Sequence, residues 1–302
     1  MNRKLILAAV LALAAAGLAA AFDPTGVLPG VLRREKFFDG RPASYWKRSL
    51  LEGDGAEARR RLGDGGAAAA PVLGELLRDA APGQSAEARR AAAELLGRLG
   101  PDAKPALPGL VTALYDPDPG VRAAAVEAVR ACAPACPEVV PYLTDLLFTG
   151  ERVKALEALA RFGPAAGHAV AAVQVCLRHD DAAVRRQAAR TLVQMRGYAL
   201  PAVLDLRECL TDPDPGVREA AAEAVGHLGG AAWICVEELA RALADDHAGI
   251  RLRAATSLGQ VGARAKPAVP ALQALADDPS EEVRRAAAWS LQRIEPDGRP
   301  AS

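Results

Sequence analysis

Residues 212–218 read Asp-Pro-Asp-Pro-Gly-Val-Arg, and the same seven residues stand at 116–122. The arginine that ends this stretch belongs to a regular series, whose members are Arg89, Arg122, Arg152, Arg185, Arg218, Arg251 and Arg284. All intervals in the series are equal except the one from Arg122 to Arg152, which is three residues shorter. A fixed period of about 33 residues is typical of a solenoid, in which each structural repeat covers the next.

Each repeat carries the pattern of two helices. In the second helix, apolar residues recur along one face, and in the sixth repeat these are Ile250, Ala254, Leu258 and Val261. An N-cap residue such as Asp214 precedes this helix, and a glycine such as Gly262 follows it. An apolar pair four residues apart, such as Leu239 and Leu243, marks the first helix. The sequence therefore predicts an all-α fold, a right-handed α-α superhelix without β-sheet.

The repeats define the domain organisation. Seven of them run over residues 67–295, a degenerate capping repeat precedes them at 43–66, and a polar tail follows at 296–302. Residues 22–42 are interpreted as a linker because of their Pro and Gly content, which comprises Pro24, Gly26, Pro29, Gly30 and Gly40.

The N-terminal residues 1–21 have the pattern of an export signal. Arg3 and Lys4 give a positive start, and an uncharged apolar run follows over residues 5–21 and ends in three alanines. This pattern indicates a cleaved signal peptide. An uncleaved membrane anchor is the alternative, since the length of the run is at the short limit for a membrane span. Both interpretations place the repeats outside the cytoplasm, in the periplasm or cell envelope.

The composition limits the classes of partner. Lys plus Arg equals Asp plus Glu at 37 each, and without the first 21 residues 35 basic residues face 37 acidic ones. A nucleic-acid-binding protein is expected to have a basic face, so this balance disfavours nucleic acid and an anionic membrane surface. We expect a protein or peptide partner, with membrane contact only through a possible N-terminal anchor.

The repeat resembles the HEAT repeat, in particular the HEAT-like repeats named after phycobilisome lyases. That family carries an aspartate in the turn and Val-Arg six residues later, as in Asp212 with Val217-Arg218. The stretch 38–42, ahead of Tyr45-Trp46, is similar to the lead-in of exported bacterial HEAT-repeat proteins. The resemblance implies the fold, because the repeat alone does not carry lyase activity. Deoxyhypusine hydroxylase, a HEAT-repeat enzyme, uses His-Glu pairs around two irons, and no such pair occurs here.

The recurrent arginine lies at the edge of the buried stripe, about 100° around the helix from the preceding apolar residue. From there it can reach the turn aspartate of its own or of the neighbouring repeat. We therefore expect a structural ladder that does not bind ligand. Its members are Arg122, Arg218, Arg251 and Arg284, with Asp116, Asp212, Asp245 and Asp278.

The cysteines occupy positions that other repeats fill with small or apolar residues, so we expect them to pack as small hydrophobes. Cys132 and Cys136 are close in sequence, and an oxidising compartment permits a disulfide between them without requiring one. No Cys-x-x-Cys, phosphate-binding loop or nucleophile motif occurs, so no catalytic, metal or cofactor site is predicted.

The remaining candidate site is the face of the second helices that points away from the stripe. Its predicted partner-binding residues are Arg186, Arg190, Glu219, Glu223 and Trp289. A solvated charged face is the alternative interpretation. The function that follows is a non-enzymatic scaffold that binds a protein or peptide along its concave face. The alternatives are a lyase-like HEAT-repeat enzyme or chaperone for a tetrapyrrole or other hydrophobic ligand, and an anchored structural spacer of the cell envelope.

Overall fold

The computed structural model describes residues 27–51, 55–78, 85–133 and 135–295. The predicted signal peptide or anchor at 1–21 and the polar tail at 296–302 lie outside these ranges. The chain divides into two compact units, Met1–Val139 and Val140–Ser302. None of the described helices is both long and apolar enough to cross a bilayer.

The first unit pairs its helices in the order that the periodicity predicts. It begins with α1 (Val27–Leu32), strands β1 (Phe37–Phe38) and β2 (Arg41–Pro42), α2 (Ala43–Leu51) and α3 (Gly55–Asp64). It continues with α4 (Gly66–Leu77), α5 (Ala86–Leu99), a 3-10 helix (Gly100–Ala106), α6 (Leu107–Ala113), α7 (Pro119–Cys132) and a 3-10 helix (Pro137–Val139).

The second unit alternates a short first helix with a long second helix. The helices are α8 (Val140–Leu146), α9 (Arg152–Phe162), α10 (Val170–Cys176), α11 (Ala182–Met195), α12 (Val203–Cys209), α13 (Pro215–His227), α14 (Val236–Ala242), α15 (Ala248–Val261), α16 (Val269–Ala274) and α17 (Glu281–Ile294). Its 3-10 helices are Gly163–Ala169, Arg196–Ala202, Gly229–Cys235, Gly262–Ala268 and Leu275–Asp277.

Capping residues mark the ends of several second helices. The Asp118 and Asp214 carboxylates accept hydrogen bonds from the N–H groups of Val121 and Val217, at 3.0 and 2.9 Å, which satisfies otherwise unpaired helix donors. Ser85 and Ser280 stand at the same position without such a side-chain bond. Three of these helices end at a glycine with positive φ, namely Gly100, Gly163 and Gly262, and at the end of α11 Arg196 adopts the same conformation.

Within each unit the core is a stripe of small and branched residues along the second helices. In the sixth repeat Ile250, Ala254 and Leu258 are at most 1% exposed. In the second unit each second helix packs on the next, from α9 to α17. Buried hydroxyls add hydrogen bonds across this packing. Ser257 and Ser290 each donate at 2.7 Å to a backbone carbonyl of the preceding second helix.

Residues 27–42 differ from the expected linker, and the strands they contain depart from the expectation of no β-sheet. Asp39 and Gly40 have φ of 51° and 66° and turn β1 into the antiparallel β2. Asp-Gly is favoured in two-residue hairpins because both positions need positive φ. The hairpin is held by Trp46, which is 1% exposed and donates its indole N–H to the Phe38 carbonyl at 3.1 Å. Arg61 lies over the Trp46 ring and pairs with Asp39.

Cys132 and Cys136 form a disulfide, with their Cα atoms 6.2 Å apart. The sequence left this pairing open, and the structure joins the two residues. The thiols of Cys176, Cys209 and Cys235 are free and buried, as expected for small hydrophobes.

Candidate functional site

Four arginines of the recurrent series bind the turn aspartate of the following repeat. The Nε–Oδ2 distance is 2.8 Å for Arg218–Asp245, and a second bond from the same guanidinium to Oδ1 measures 3.3 Å. The other three pairs have Nε–Oδ2 distances of 2.7 Å and are Arg89–Asp116, Arg185–Asp212 and Arg251–Asp278. Such two-bond contacts fix the orientation of both charged groups.

The remaining guanidinium nitrogen binds the arginine's own turn. Arg218 Nη1 donates to the Asp212 carbonyl, and Arg251 Nη1 to the Asp245 carbonyl, each at 2.8 Å. Each of these arginines therefore connects the turn before its helix to the turn of the next repeat. Arg122 and Arg284 also donate to the carbonyls of their own turns.

Arg89 and Arg185 were absent from the predicted ladder because no aspartate stands six residues before them. The sequence feature that identifies them as ladder members is the turn aspartate of the following repeat, which is Asp116 for Arg89 and Asp212 for Arg185. In the turn before Arg185, His179 replaces the aspartate and its Nδ1 accepts a hydrogen bond from the Asp181 N–H at 3.0 Å. In the following turn the Asp212 carboxylate accepts the corresponding hydrogen bond from the Asp214 N–H at 2.9 Å.

The ladder charges are held by their partners. The hydrogen bond from Arg251 keeps the pKa of the Asp278 carboxyl below its ordinary value. For Asp212 and Asp245, burial acts to raise the pKa, but hydrogen bonds from an arginine and a backbone amide outweigh it and leave the pKa lowered. Hydrogen bonds to the aspartates raise the pKa of Arg185, Arg218 and Arg251. That these residues stabilise the stack and bind no ligand stays a prediction.

The predicted partner-binding residues lie on three second helices. Arg186 and Arg190 are on α11, and the Arg186 side chain lies against Gly216 at the start of α13. In the described part of the chain, no carboxylate lies within ion-pair distance of either arginine. Arg190 is exposed and Arg186 is half-buried.

Arg253 is a member of this surface that the sequence analysis missed. Its guanidinium lies 3.9 Å from a Glu219 carboxylate oxygen and 3.8 Å from one of Glu223. It stands three residues after Ile250 and was not among the residues predicted for this face. Both distances exceed a hydrogen bond, so the two half-exposed carboxylates keep acceptor capacity for a partner.

Trp289 lies on α17, two second helices beyond α13. Its ring is 41% exposed and packs against Gly259, and the Arg293 guanidinium lies 5.0 Å from the ring centre. The structure thus brings Arg186, Arg190 and the acidic pair onto adjacent helices and places Trp289 further along the stack.

Two of the buried thiols are held in their protonated form. Burial raises the pKa of Cys209 to about 12 and that of Cys235 to about 11, which keeps both thiols protonated at neutral pH. No group of three His, Cys, Asp or Glu side chains among these residues has the arrangement to hold a metal ion.

The comparisons with known proteins agree with this repeat architecture. HEAT repeats match residues 70–151, 148–226 and 236–302. No curated protein sequence matches the chain. The crystal structure of an engineered protein is similar with a TM-score of 0.60 at 21% identity, covering 84% of this chain and 78% of that one. Importin beta, crystallised in an ammonium sulfate condition, is similar with a TM-score of 0.54 at 15% identity, covering 86% of this chain and 39% of that one.

Both structural likenesses are distant in sequence and show the fold alone. The family match covers most of the chain and includes the turns that carry the arginine–aspartate pairs. The chain belongs to the HEAT-repeat family.

Proposed function

We propose that this protein is a non-enzymatic scaffold that binds a protein or peptide partner along the exposed face of its second helices. The surface is the second-helix ridge, defined by Arg186, Arg190, Glu219, Glu223 and Trp289. The observation that carries the proposal is the pair of arginines on α11. They have no described carboxylate within ion-pair distance, whereas Arg185 and Arg218 each bind an aspartate, at 2.7 and 2.8 Å.

The charges of the ridge define the chemistry of the partner. An acidic segment would meet Arg186 and Arg190, and an adjacent basic segment would compete with Arg253 for Glu219 and Glu223. Such a step from positive to negative charge favours orientation and association rate more than affinity. An exposed aromatic such as Trp289 supplies the apolar contact that partner surfaces often use.

The proposed location is the periplasm or cell envelope. The apolar run at residues 5–21 motivates this proposal, and the Cys132–Cys136 disulfide supports it because disulfides persist in oxidising compartments. The partner is accordingly expected to be another exported protein.

The test is a double charge reversal, Arg186→Glu with Arg190→Glu. Wild type, this variant and a control would each be immobilised and exposed to envelope extract. The matched control is Lys104→Glu with Lys266→Glu, which changes the net charge equally at two exposed positions outside the second helices. We expect a protein captured by wild type and control to be lost from the double reversal, or to associate about tenfold more slowly with a weaker salt dependence.

Thermal unfolding of the double reversal should remain close to that of wild type, because neither arginine has a described ion pair to lose. If all three proteins capture the same set with the same kinetics, the ridge is only a solvated surface and the proposal is wrong.

A further inference from the structure

A cleft with an excess of positive charge lies in the first unit. The segment after α1, helices α4 and α6, and the 3-10 helix before α6 line it, and its volume is about 350 Å³. Among the described residues of this basic cleft, Arg34, Lys36 and Arg78 are cationic and Glu75 alone is acidic. This excess contrasts with the whole chain, in which basic and acidic residues are equal in number. Neither the ladder nor the ridge uses any of these residues.

The three cations have no counter-charge in the fold that the structure describes. No carboxylate of the described residues lies within ion-pair distance of Arg34, Lys36 or Arg78, and all three residues are exposed. The Glu75 carboxylate instead accepts a hydrogen bond from the Lys36 backbone N–H, which connects the segment before β1 to α4. The one acidic group of the cleft thus holds the backbone, and the cationic side chains remain for a ligand.

The backbone at Arg34 gives an independent indication of function. Arg34 has a φ of 58°, in the left-handed region that glycine adopts with less strain than other residues. It belongs to the turn that ends α1, where its N–H donates to the Val31 carbonyl at 3.1 Å and the Glu35 N–H donates to the Gly30 carbonyl at 2.9 Å. Glycine would suit this turn better, so the turn does not explain the arginine. A side chain held at a strained position indicates a role outside the turn.

The rest of the lining is apolar and closely packed. It consists of small residues and prolines, which are Pro71, Gly74, Pro105, Ala106 and Gly109. Helices α4 and α6 approach so closely here that a Cβ added at Gly109 would lie 2.1 Å from the Gly74 carbonyl oxygen. Phosphate sites often rely on backbone N–H groups, but the two prolines have none and the Lys36 N–H already binds Glu75. The cleft therefore recognises an anion through its cationic side chains.

Positive charge continues into a second cavity, which adjoins the cleft at Glu75. This cavity has a volume of about 410 Å³, and its charged lining residues include Arg33 and Lys47. Its other carboxylate, that of Glu35, accepts a hydrogen bond from the Ser44 N–H at 2.7 Å and lies 3.9 Å from Arg33. The cations are thus distributed over two adjoining cavities, which suits a ligand with several spaced negative charges better than one compact anion.

We propose that the basic cleft binds an acidic segment of a partner protein in an extended conformation. In such a segment alternate side chains point to the same side, about 7 Å apart, so successive carboxylates can meet separate cations. Arg34 and Arg78 can each bind a carboxylate through two parallel N–H groups, and Lys36 adds a point charge. The small lining residues leave space for the backbone of the segment. This contact belongs to the first unit, whereas the ridge belongs to the second.

Fluorescence anisotropy with the full chain tests this proposal. The probe is a labelled, acetylated and amidated peptide of about ten residues that alternates glutamate with alanine, so its carboxylates share one face when it is extended. At an ionic strength of about 0.01 M, where exposed charges are weakly screened, wild type should bind the peptide, and added salt should weaken the binding.

Two cleft variants and a matched control locate the contact. Lys36→Gln with Arg78→Gln should raise the Kd about tenfold or more, because two charge-assisted contacts are lost. Arg34→Gly should also raise the Kd, while the melting temperature stays at or above that of wild type, because glycine relieves the strain at this φ. The control, Arg48→Gln with Arg98→Gln, removes two exposed arginines of the same unit that line neither cavity, and should change the Kd by less than about twofold.

Several outcomes would overturn the proposal. These are no binding by wild type, equal binding by the cleft variants and the control, and equally tight binding of the corresponding lysine peptide. Tighter binding of inorganic triphosphate or of phosphatidylglycerol vesicles, lost in the same variants, would assign the cleft to phosphate groups or to a membrane instead. The ridge double reversal should retain peptide binding. If it loses binding while the cleft variants do not, the peptide binds at the ridge and the cleft proposal alone is wrong.

Discussion

Replacing Arg218 with alanine removes the guanidinium that connects the turns before α13 and α15. Two hydrogen bonds to the Asp245 carboxylate are lost, at 2.8 and 3.3 Å, together with two to the carbonyls of Asp212 and Pro213, at 2.8 and 3.2 Å. The Asp245 side chain is only 11% exposed and would keep a negative charge without its cationic partner. The cost is therefore mainly that of a poorly solvated carboxylate.

The environment of the pair sets the magnitude. Exposed ion pairs contribute about 0–1 kcal/mol, and breaking a fully buried pair costs about 3–5 kcal/mol. Arg218 is 18% exposed and its partner 11%, which is closer to the buried limit. We expect Arg218→Ala to lower the free energy of unfolding by about 2–3 kcal/mol. Because the unfolding entropy of a chain of this length is about 0.6 kcal/mol/K, that corresponds to a melting temperature lower by about 3–5 °C.

Thermal and urea unfolding followed by circular dichroism measures this loss. The matched control is Arg285→Ala, whose pair with Glu281 spans 2.9 Å but leaves both side chains at least 66% exposed. The control should change the free energy of unfolding by less than about 0.5 kcal/mol. A double-mutant cycle of Arg218→Ala with Asp245→Ala should show strong coupling, since removing both partners leaves no unpaired charge.

Two results would refute this reasoning. If Arg218→Ala costs no more than Arg285→Ala, the ladder does not stabilise the stack. If Arg218→Ala abolishes partner capture at low temperature while its unfolding curve matches wild type, Arg218 is a ligand contact.

Three further outcomes are expected. The ladder aspartates have lowered pKa values, so the stability they contribute is fully present above their ordinary pKa and is lost as the pH falls through about 4 and below. In Arg218→Ala the urea concentration at the unfolding midpoint should therefore depend less steeply on pH in this range than in wild type. An unchanged dependence would contradict the assignment. Gly109→Ala places a methyl group on the backbone of α4 and should cost about 1–3 kcal/mol by urea unfolding, whereas Gly150→Ala enters open space and should not. Alkylation of the denatured chain should label three thiols without reductant and five with it, because Cys132 and Cys136 are bridged; five in both cases would exclude the disulfide.

Much of the fold could be predicted because its determinants are local and repeated. The aspartate at the start of α13 caps its helix through a bond to Val217, only three residues away. Such short-range chemistry recurs at a fixed period, so helix boundaries follow directly from the sequence. Asp39-Gly40 is the counterexample, because its hairpin signal was obscured by the surrounding Pro and Gly residues that indicated a linker.

The side-chain partners were harder to predict because they come from the neighbouring repeat. Arg218 stands six residues after Asp212, and the sequence left open whether it pairs with that aspartate or with the one of the neighbouring repeat. In the structure it binds the Asp212 carbonyl and gives its charge to Asp245. Arg253 likewise approaches Glu219 from another helix. These contacts depend on how repeats stack, and the pattern within one repeat does not specify that geometry.

The arginine–aspartate connection also bears on how such an array can change length during evolution. A segment of one repeat length in this chain contains both an acceptor, such as Asp245, and a donor, such as Arg251. In-frame duplication of that segment supplies a carboxylate for the arginine before it and an arginine for the carboxylate after it, so no charge is stranded at either junction. Loss of the last repeat, in contrast, would leave Arg251 without Asp278. Internal gene duplication therefore lengthens this protein without leaving an unpaired charge, whereas loss of the last repeat would leave one.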